Sequence, residues 1–486
     1  MDAVVTLKQG RLRGRVEDGV AVFRGIPYAP APVGAALYGE PGTPPTWEGV
    51  RDAAEFGPTA PKPPYQPPYD QLLADPDIPG EEFLNLNVWT PDPGGSGLPV
   101  FVWIHGGAFR NGSTAVPTYD GRAFARDGVV FVSLNYRLGV PGFGLFPDAA
   151  PNRGLADQLA ALAWVQENVA AFGGDPGRVT VAGESAGAMS VTALLSMRES
   201  AGLFRQAVTQ SGAGQGVVRA QDARLVIGET AKLLGVDATA RAFAELPPER
   251  VVQAQQTVAG ELAVHRDAER FGPSVVAAAM AFPPVVDGAF LERPPLEAIA
   301  AGAGRDVTLL TGTTTDEQRL FLVPSGVTGF VDAQALAALA GPEAAAVYGA
   351  ARPDDSPGDV LAAVLTDRYF RIPSIRMAEA RAGGPARTFM YEFAWRTAHE
   401  NLGACHALEL GFVFDTLAAP ATGGLTGGGA PQELARRMHG AWVRFAADGD
   451  PGWEPYDPVR RPVMVFDEPA SGVVNDPRGD ERRLWD

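Results

Sequence analysis

Val179–Met197 reads VTVAGESAGAMSVTALLSM, and this stretch decides the fold. Val179–Ala182 (VTVA) is a short apolar, β-branched run of the kind that forms a buried strand. The AMSVTALLSM pattern that closes the stretch reads as a helix. Between them lies Gly183-Glu184-Ser185-Ala186-Gly187. A serine hydroxyl is a weak nucleophile and must be presented, exposed, beside a base. A sharp strand-to-helix turn does this, and the flanking glycines remove side chains that would clash within it. The bare G-x-S-x-G pattern is weak in a chain with 58 glycines. Its place between a strand and a helix gives it weight.

The flanking sequence repeats the alternation of strand and helix. Upstream, Leu98–His105 (LPVFVWIH) and Val129–Tyr136 (VVFVSLNY) read as buried strands. Leu155, Leu159, Leu162, Val165, Val169 and Phe172 recur at helical spacing, so Gly154–Phe172 reads as an amphipathic helix stopped by Gly173–Pro176. Downstream, strands are expected at Val307–Thr311 and Thr388–Phe393. Helices are expected at Gln221–Leu234, Pro357–Asp367 and Gln432–Ala447. Stretches rich in Pro and Gly (Ala29–Pro45, Gly57–Pro68, Pro91–Pro99) precede the main strands and read as surface loops rather than linkers. Gly423–Ala430 (GGLTGGGA) reads as a mobile loop at the rim. With no repeat of 20–50 residues, residues 1–486 are expected to form one α/β domain with insertions.

A second chemical element follows the strand LPVFVWI. His105-Gly106-Gly107-Ala108-Phe109 stands where backbone donors for an oxyanion belong. Gly106 and Gly107 let N–H groups approach a developing negative charge, and the Ala186 N–H adds a third.

In this type of fold the order runs serine, acid, histidine. His265 lies in a charged segment and reads as solvated, whereas His439 shares a helical pattern with Trp442 and Phe445 and reads as packed. His399 and His406 bracket the loop HENLGACH, and spacing does not separate them. The acid should follow a strand between the serine and the histidine. After Val307–Thr311 come Asp316 and Glu317, and either carboxylate can orient an imidazole.

Composition excludes several other classes. The formal net charge of −17 disfavours nucleic acid and anionic membranes, which call for a basic face. One cysteine, Cys405, makes neither an internal disulfide nor a cysteine zinc cluster. Met1–Val16 lacks the apolar run of a secretory signal, and no stretch is apolar for the length of a membrane span. A cytoplasmic protein is the expectation, with a monomer as the default. At 51.0 kDa, about 17,000 Å² of surface should stay exposed, leaving a sizeable core.

Motifs along nearly the whole chain resemble the type-B carboxylesterases, the α/β-hydrolase group that includes cholinesterases and bacterial para-nitrobenzyl esterases. They run from FRGIPYA (Phe23–Ala29), WEGVRDA (Trp47–Ala53) and LNLNVWTP (Leu84–Pro91) through HGGAF, NYRLG (Asn135–Gly139), FGGDP, GESAG and QSG (Gln210–Gly212). They end with PVVDG (Pro284–Gly288), Gly312–Glu317, HALELGFVF (His406–Phe414) and Trp442–Pro451. The resemblance implies an α/β-hydrolase fold: a large, mostly parallel sheet flanked by helices, with helical insertions over the active site. It places the family's acid on Glu317 and its base on His406, beside Ser185, with Glu184, Ser211 and Glu409 near this triad. Secreted relatives often carry a cysteine just before Pro61 and another before LNLNVW, where Ala60 and Phe83 stand here. Gln318 replaces the glycine that many relatives have after the acid.

The expected activity is that of a serine carboxylesterase acting on a small-molecule ester, with neither cofactor nor metal implied. Gly106, Gly107 and Ala186 would form the oxyanion hole. Phe109, Phe282, Phe321 and Phe414 would line an aromatic cleft for short to medium acyl chains. The Gly-Gly-Ala-Phe loop implies room for bulky, even tertiary, alcohols. Acyl transfer and amide or carbamate cleavage share the same chemistry. Some adhesion modules of similar sequence have lost the serine, but here every catalytic residue type is present.

Overall fold

The structure, a computed structural model, describes residues 2–420 and 422–486. Its centre is a sheet of thirteen strands. Nine come before residue 211: β1 (Asp2–Thr6), β2 (Arg11–Glu17), β3 (Val20–Pro27), β4 (Val50–Asp52), β5 (Asn85–Thr90), β6 (Leu98–Ile104), β7 (Val130–Leu134), β8 (Gly174–Glu184) and β9 (Gln206–Gln210). A separate two-stranded ribbon pairs β10 (Val218–Arg219) with β11 (Val285–Val286). The main sheet then continues with β12 (Thr308–Thr314), β13 (Thr388–Phe393), β14 (Pro462–Phe466) and β15 (Gly472–Asn475).

The spatial order is β1-β2-β3-β5-β7-β6-β8-β9-β12-β13-β14-β15, with β4 beside β2. From β7 to β14 every neighbouring pair is parallel. The two margins, β1-β2-β3-β5-β7 and β14-β15, are antiparallel. At the centre, Val181 of β8 pairs with Val102 of β6 on one side and Ala207 of β9 on the other.

Parallel strands need crossover connections, and helices supply them on both faces. Among them are α1 (Arg153–Asn168), α2 (Ala186–Ser196), α3 (Ala220–Leu234), α4 (Pro248–His265), α5 (Pro357–Thr366), α6 (Ile372–Ala380) and α7 (Gln432–Asp448). Strand alternation divides the core in two. Val179 and Val181 join the cluster under α1, α2, α3 and α4, whereas Ala182, Val208, Leu310 and Phe389 join Trp442 and Phe445 of α7. Central strands buried on both faces explain why the sequence shows continuous apolar runs there. The expected strand Thr388–Phe393 is found with those bounds, and the helix expected at Gln432–Ala447 ends one residue later. Gly423–Thr426 of the expected rim loop forms one helical turn.

The parallel strands share one direction, so their C-terminal ends lie along one edge of the sheet, where such folds place their ligands. The segments after β6, β8, β12 and β13 carry His105–Phe109, Ser185, Asp316–Glu317 and the histidine loop. Among the described residues, no helix is long and apolar enough to cross a membrane.

Candidate active site

Ser185 occupies the single residue between β8 and α2, with φ 54° and ψ −123°. A non-glycine residue in that region costs about 1–3 kcal/mol, a strain the surrounding packing must hold. Two backbone bonds hold it: Ser185 N–H donates to Gln210 O (2.9 Å), and Met189 N–H donates to Ser185 O (2.9 Å). Its side chain does not cap the helix, and Oγ makes no hydrogen bond among the described residues. The residue is half-buried.

The loop after β6 folds back against this turn. A Cβ on Gly106 would stand 2.8 Å from Glu184 Oε2 and 3.2 Å from Ser185 Cβ, so only glycine lets the two segments approach. Gly107 has φ 114°, and its carbonyl accepts Arg110 N–H (3.0 Å) and Asn111 N–H (2.9 Å), closing a tight turn. Ala186 begins α2, so its N–H is among the first-turn donors that have no partner within the helix. His105 is buried behind the loop, stacked 4.6 Å from the Tyr136 ring. Burial pushes its pKa down to about 4, which leaves it neutral.

A second clamp fixes the loop from outside. Lys62 and Asp75 form a buried ion pair, and Asp75 also accepts Asn111 Nδ2 (3.0 Å) and Gly112 N–H (3.2 Å). The Pro-rich segment that carries Lys62 and Asp75 is thereby fastened to the loop at Gly106–Gly107.

Of the two histidines that bracket the loop HENLGACH, His406 reaches an acid. Its Nδ1 lies 2.5 Å from Glu317 Oε2, and Glu317 Oε1 accepts Thr314 N–H (2.9 Å). Neighbouring Asp316 points elsewhere: its Oδ2 accepts Ala404 N–H (2.9 Å) and pairs with Arg396 (2.7 Å), tying down the loop that carries His406. Gln318 has φ −71°, which any residue adopts, so the usual glycine is not required here. His399 packs over Gly427, His265 is exposed, and buried His439 meets Val413 O through Nδ1 (2.7 Å).

The site is rich in buried carboxylates. His406 Nε2 lies 3.0 Å from Glu184 Oε1, a contact without hydrogen-bond alignment. Burial pushes the imidazole pKa down, but the charges of Glu184 and Glu317 outweigh it and hold the group well above its ordinary value. Glu409 accepts Gln210 Nε2 (3.0 Å), and Gln210 Oε1 accepts Trp442 Nε1–H (2.9 Å). Burial, with Glu184 and Glu317 nearby, raises Glu409 to about 8 against the opposing pull of the Gln210 bond. Ser211, at φ 54°, keeps a buried hydroxyl without a partner. Burial raises the Cys405 thiol, which is therefore unreactive. Among the described residues, no group of three or more His, Cys, Asp or Glu side chains is placed to hold a metal ion.

The aromatic surroundings differ from expectation. Of the four phenylalanines, Phe321 meets the imidazole, at 5.3 Å between ring centres. Phe109 is fully buried against Phe143, and Phe282 belongs to the core cluster beneath the sheet. Phe414 is also fully buried, 4.9 Å from Trp103 and 5.5 Å from Tyr119. The helical turn Leu410–Val413 between His406 and Phe414 carries this ring into the core, where aromatic packing favours it. Phe370 takes the place against His406, at 5.0 Å, from a widened turn at Asp367–Arg371. No periodicity in the sequence marks that turn.

A profile of the Carboxylesterase family matches residues 1–485. The chain is 36% identical to the para-nitrobenzyl esterase of Bacillus subtilis, covering 99% of this chain and 98% of that protein. It is 29% identical to the cholinesterase of Mus musculus, covering 100% and 86%. The crystal structure of a Geobacillus stearothermophilus carboxylesterase superposes with a TM-score of 0.86 at 38% identity, covering 99% of this chain and 100% of that one. The chain belongs to the carboxylesterase family and is a carboxylic-ester hydrolase.

Proposed function

We propose that the chain hydrolyses esters of short to medium acyl chains through an acyl-enzyme on Ser185. The observation that carries this reading is the 2.5 Å contact between His406 Nδ1 and Glu317 Oε2 beside the strained serine turn. Ser185 Oγ attacks the ester carbonyl and gives its proton to His406 Nε2. Glu317 fixes the imidazole and stabilises its charged form. Gly106, Gly107 and Ala186 donate N–H groups to the tetrahedral oxyanion. His406 returns the proton to the leaving alcohol, and water then takes the place of the alcohol and frees the acid. Glu184, Ser211 and Glu409 set the field around the imidazole.

Phe321 and Phe370, which flank His406, favour modest acyl chains. The small residues at Gly106, Gly107 and Ala108 leave space for branched alcohols. The natural setting we propose is the cytoplasm, with the protein acting as a monomer; the single buried cysteine suits a reducing compartment. The test is an ester panel varying acyl length and alcohol bulk separately. The reading expects C2–C6 esters to exceed C12 in kcat/KM, with measurable turnover of tert-butyl or linalyl acetate. Preference for long-chain emulsions, with tertiary esters inert, would overturn the pocket assignment.

A further inference from the structure

Arginines inside this protein are held by partners. Arg24, Arg137, Arg319, Arg371 and Arg478 each grip a carboxylate. Among the described residues, every other buried or half-buried arginine likewise donates to a protein oxygen, except Arg110. Its guanidinium makes no hydrogen bond and no ion pair, in a chain with 57 acidic residues. Arginine stays charged at any working pH, so a partly desolvated guanidinium without a partner is costly.

Its position is specific. Arg110 directly follows the oxyanion loop, and its N–H bonds Gly107 O (3.0 Å), which places the two Cα atoms within about 7 Å. Phe109 and Asn111 on either side are buried, so the backbone there is fixed. The Tyr65 hydroxyl shares its surroundings, within electrostatic reach of Arg110, Asp75 and Glu184. Asp75 is engaged by Lys62, Asn111 and Gly112, and neither Asp75 nor Glu184 bonds or pairs with Arg110. Its guanidinium nitrogens are not enclosed, so an anion from outside the chain can reach them.

We propose that Arg110 is a specificity-determining residue that receives a second, free carboxylate on the ester substrate. The substrate class is esters that are also acids: monoesters of dicarboxylic acids, or acyl esters of hydroxy acids. A planar guanidinium takes a carboxylate through two parallel hydrogen bonds, which also orients the scissile carbonyl toward the loop. This rests on the esterase reading above and deepens it.

The test compares two matched pairs: monomethyl glutarate against methyl pentanoate, and 4-acetoxybenzoate against its methyl ester. The first places the carboxylate on the acyl side, the second on the leaving group. For at least one pair, R110Q should lose at least about tenfold more kcat/KM on the anionic member than on the neutral one, chiefly through KM. R110K should fall between R110Q and the unmodified enzyme. In the unmodified enzyme, added salt should weaken the anionic member selectively. Equal losses within both pairs, or no loss in either together with no selective salt effect, would overturn the proposal. Failure of the unmodified enzyme on the neutral esters would instead count against the esterase reading.

Discussion

Oε1 of Glu184 stands 3.0 Å from Nε2 of His406, on the opposite side of the ring from Glu317. The imidazole thus lies between two carboxylates, and its protonated form is favoured although burial opposes it. A base must start unprotonated, so the acid limb of kcat/KM should lie above the ordinary histidine range. Replacing Glu184 by glutamine removes one of the two charges. In E184Q the limb should move to lower pH, and an unmoved limb would show that Glu184 does not act on the base.

S185A should lose at least about 10⁴-fold in kcat while remaining folded, because the side chain makes no structural hydrogen bond. H406A should match it, and the double variant should be little worse than either, as expected of groups acting as a unit. H399A should keep most activity. Near-normal turnover in S185A would end the nucleophile assignment.

The adjacent acids should separate by readout. E317Q should lower kcat by about 10³–10⁴-fold, because it disturbs the orientation and charge of the imidazole. D316N should chiefly lower Tm, at a cost of about 1–3 kcal/mol, because Asp316 holds Ala404 N–H and Arg396. A larger catalytic defect in D316N than in E317Q would reverse the roles.

Glu409 gives a stability signature. Its folded pKa is raised to about 8, so the folded protein holds a proton that the unfolded chain releases above the ordinary glutamate range. Stability should therefore fall as pH rises from about 4.5 toward 8. E409Q carries no titrating proton and mimics the neutral acid. The difference in Tm between E409Q and the parent should grow in favour of E409Q across that interval; a constant difference would mean Glu409 is already ionised.

The central sheet was legible because its strands are buried on both faces and read as apolar runs. The serine turn was legible because strand, glycines and helix adjoin in sequence. The choice of acid was not, since Asp316 and Glu317 differ only in which distant groups they meet: Ala404 and Arg396 for one, His406 for the other. Family resemblance selected Glu317 and His406, the pair that lies in contact. The aromatic neighbours of His406 were only partly legible, for the opposite reason: Phe321 was named but Phe370 was not. Phe414 is near His406 in sequence, but one turn of helix carries it into the core, whereas Phe370 arrives from 36 residues upstream on a widened turn.

The buried pair Lys62–Asp75 is placed as a latch between the Pro-rich segment and the oxyanion loop. Opening it exposes a cation and an anion that must be hydrated together, and stranding either one inside costs about 3–5 kcal/mol. Half-open states are therefore poor in energy, and the Pro-rich segment leaves or stays as one piece. Because Asp75 also grips Asn111 and Gly112, releasing the latch frees the turn that shapes Gly106 and Gly107.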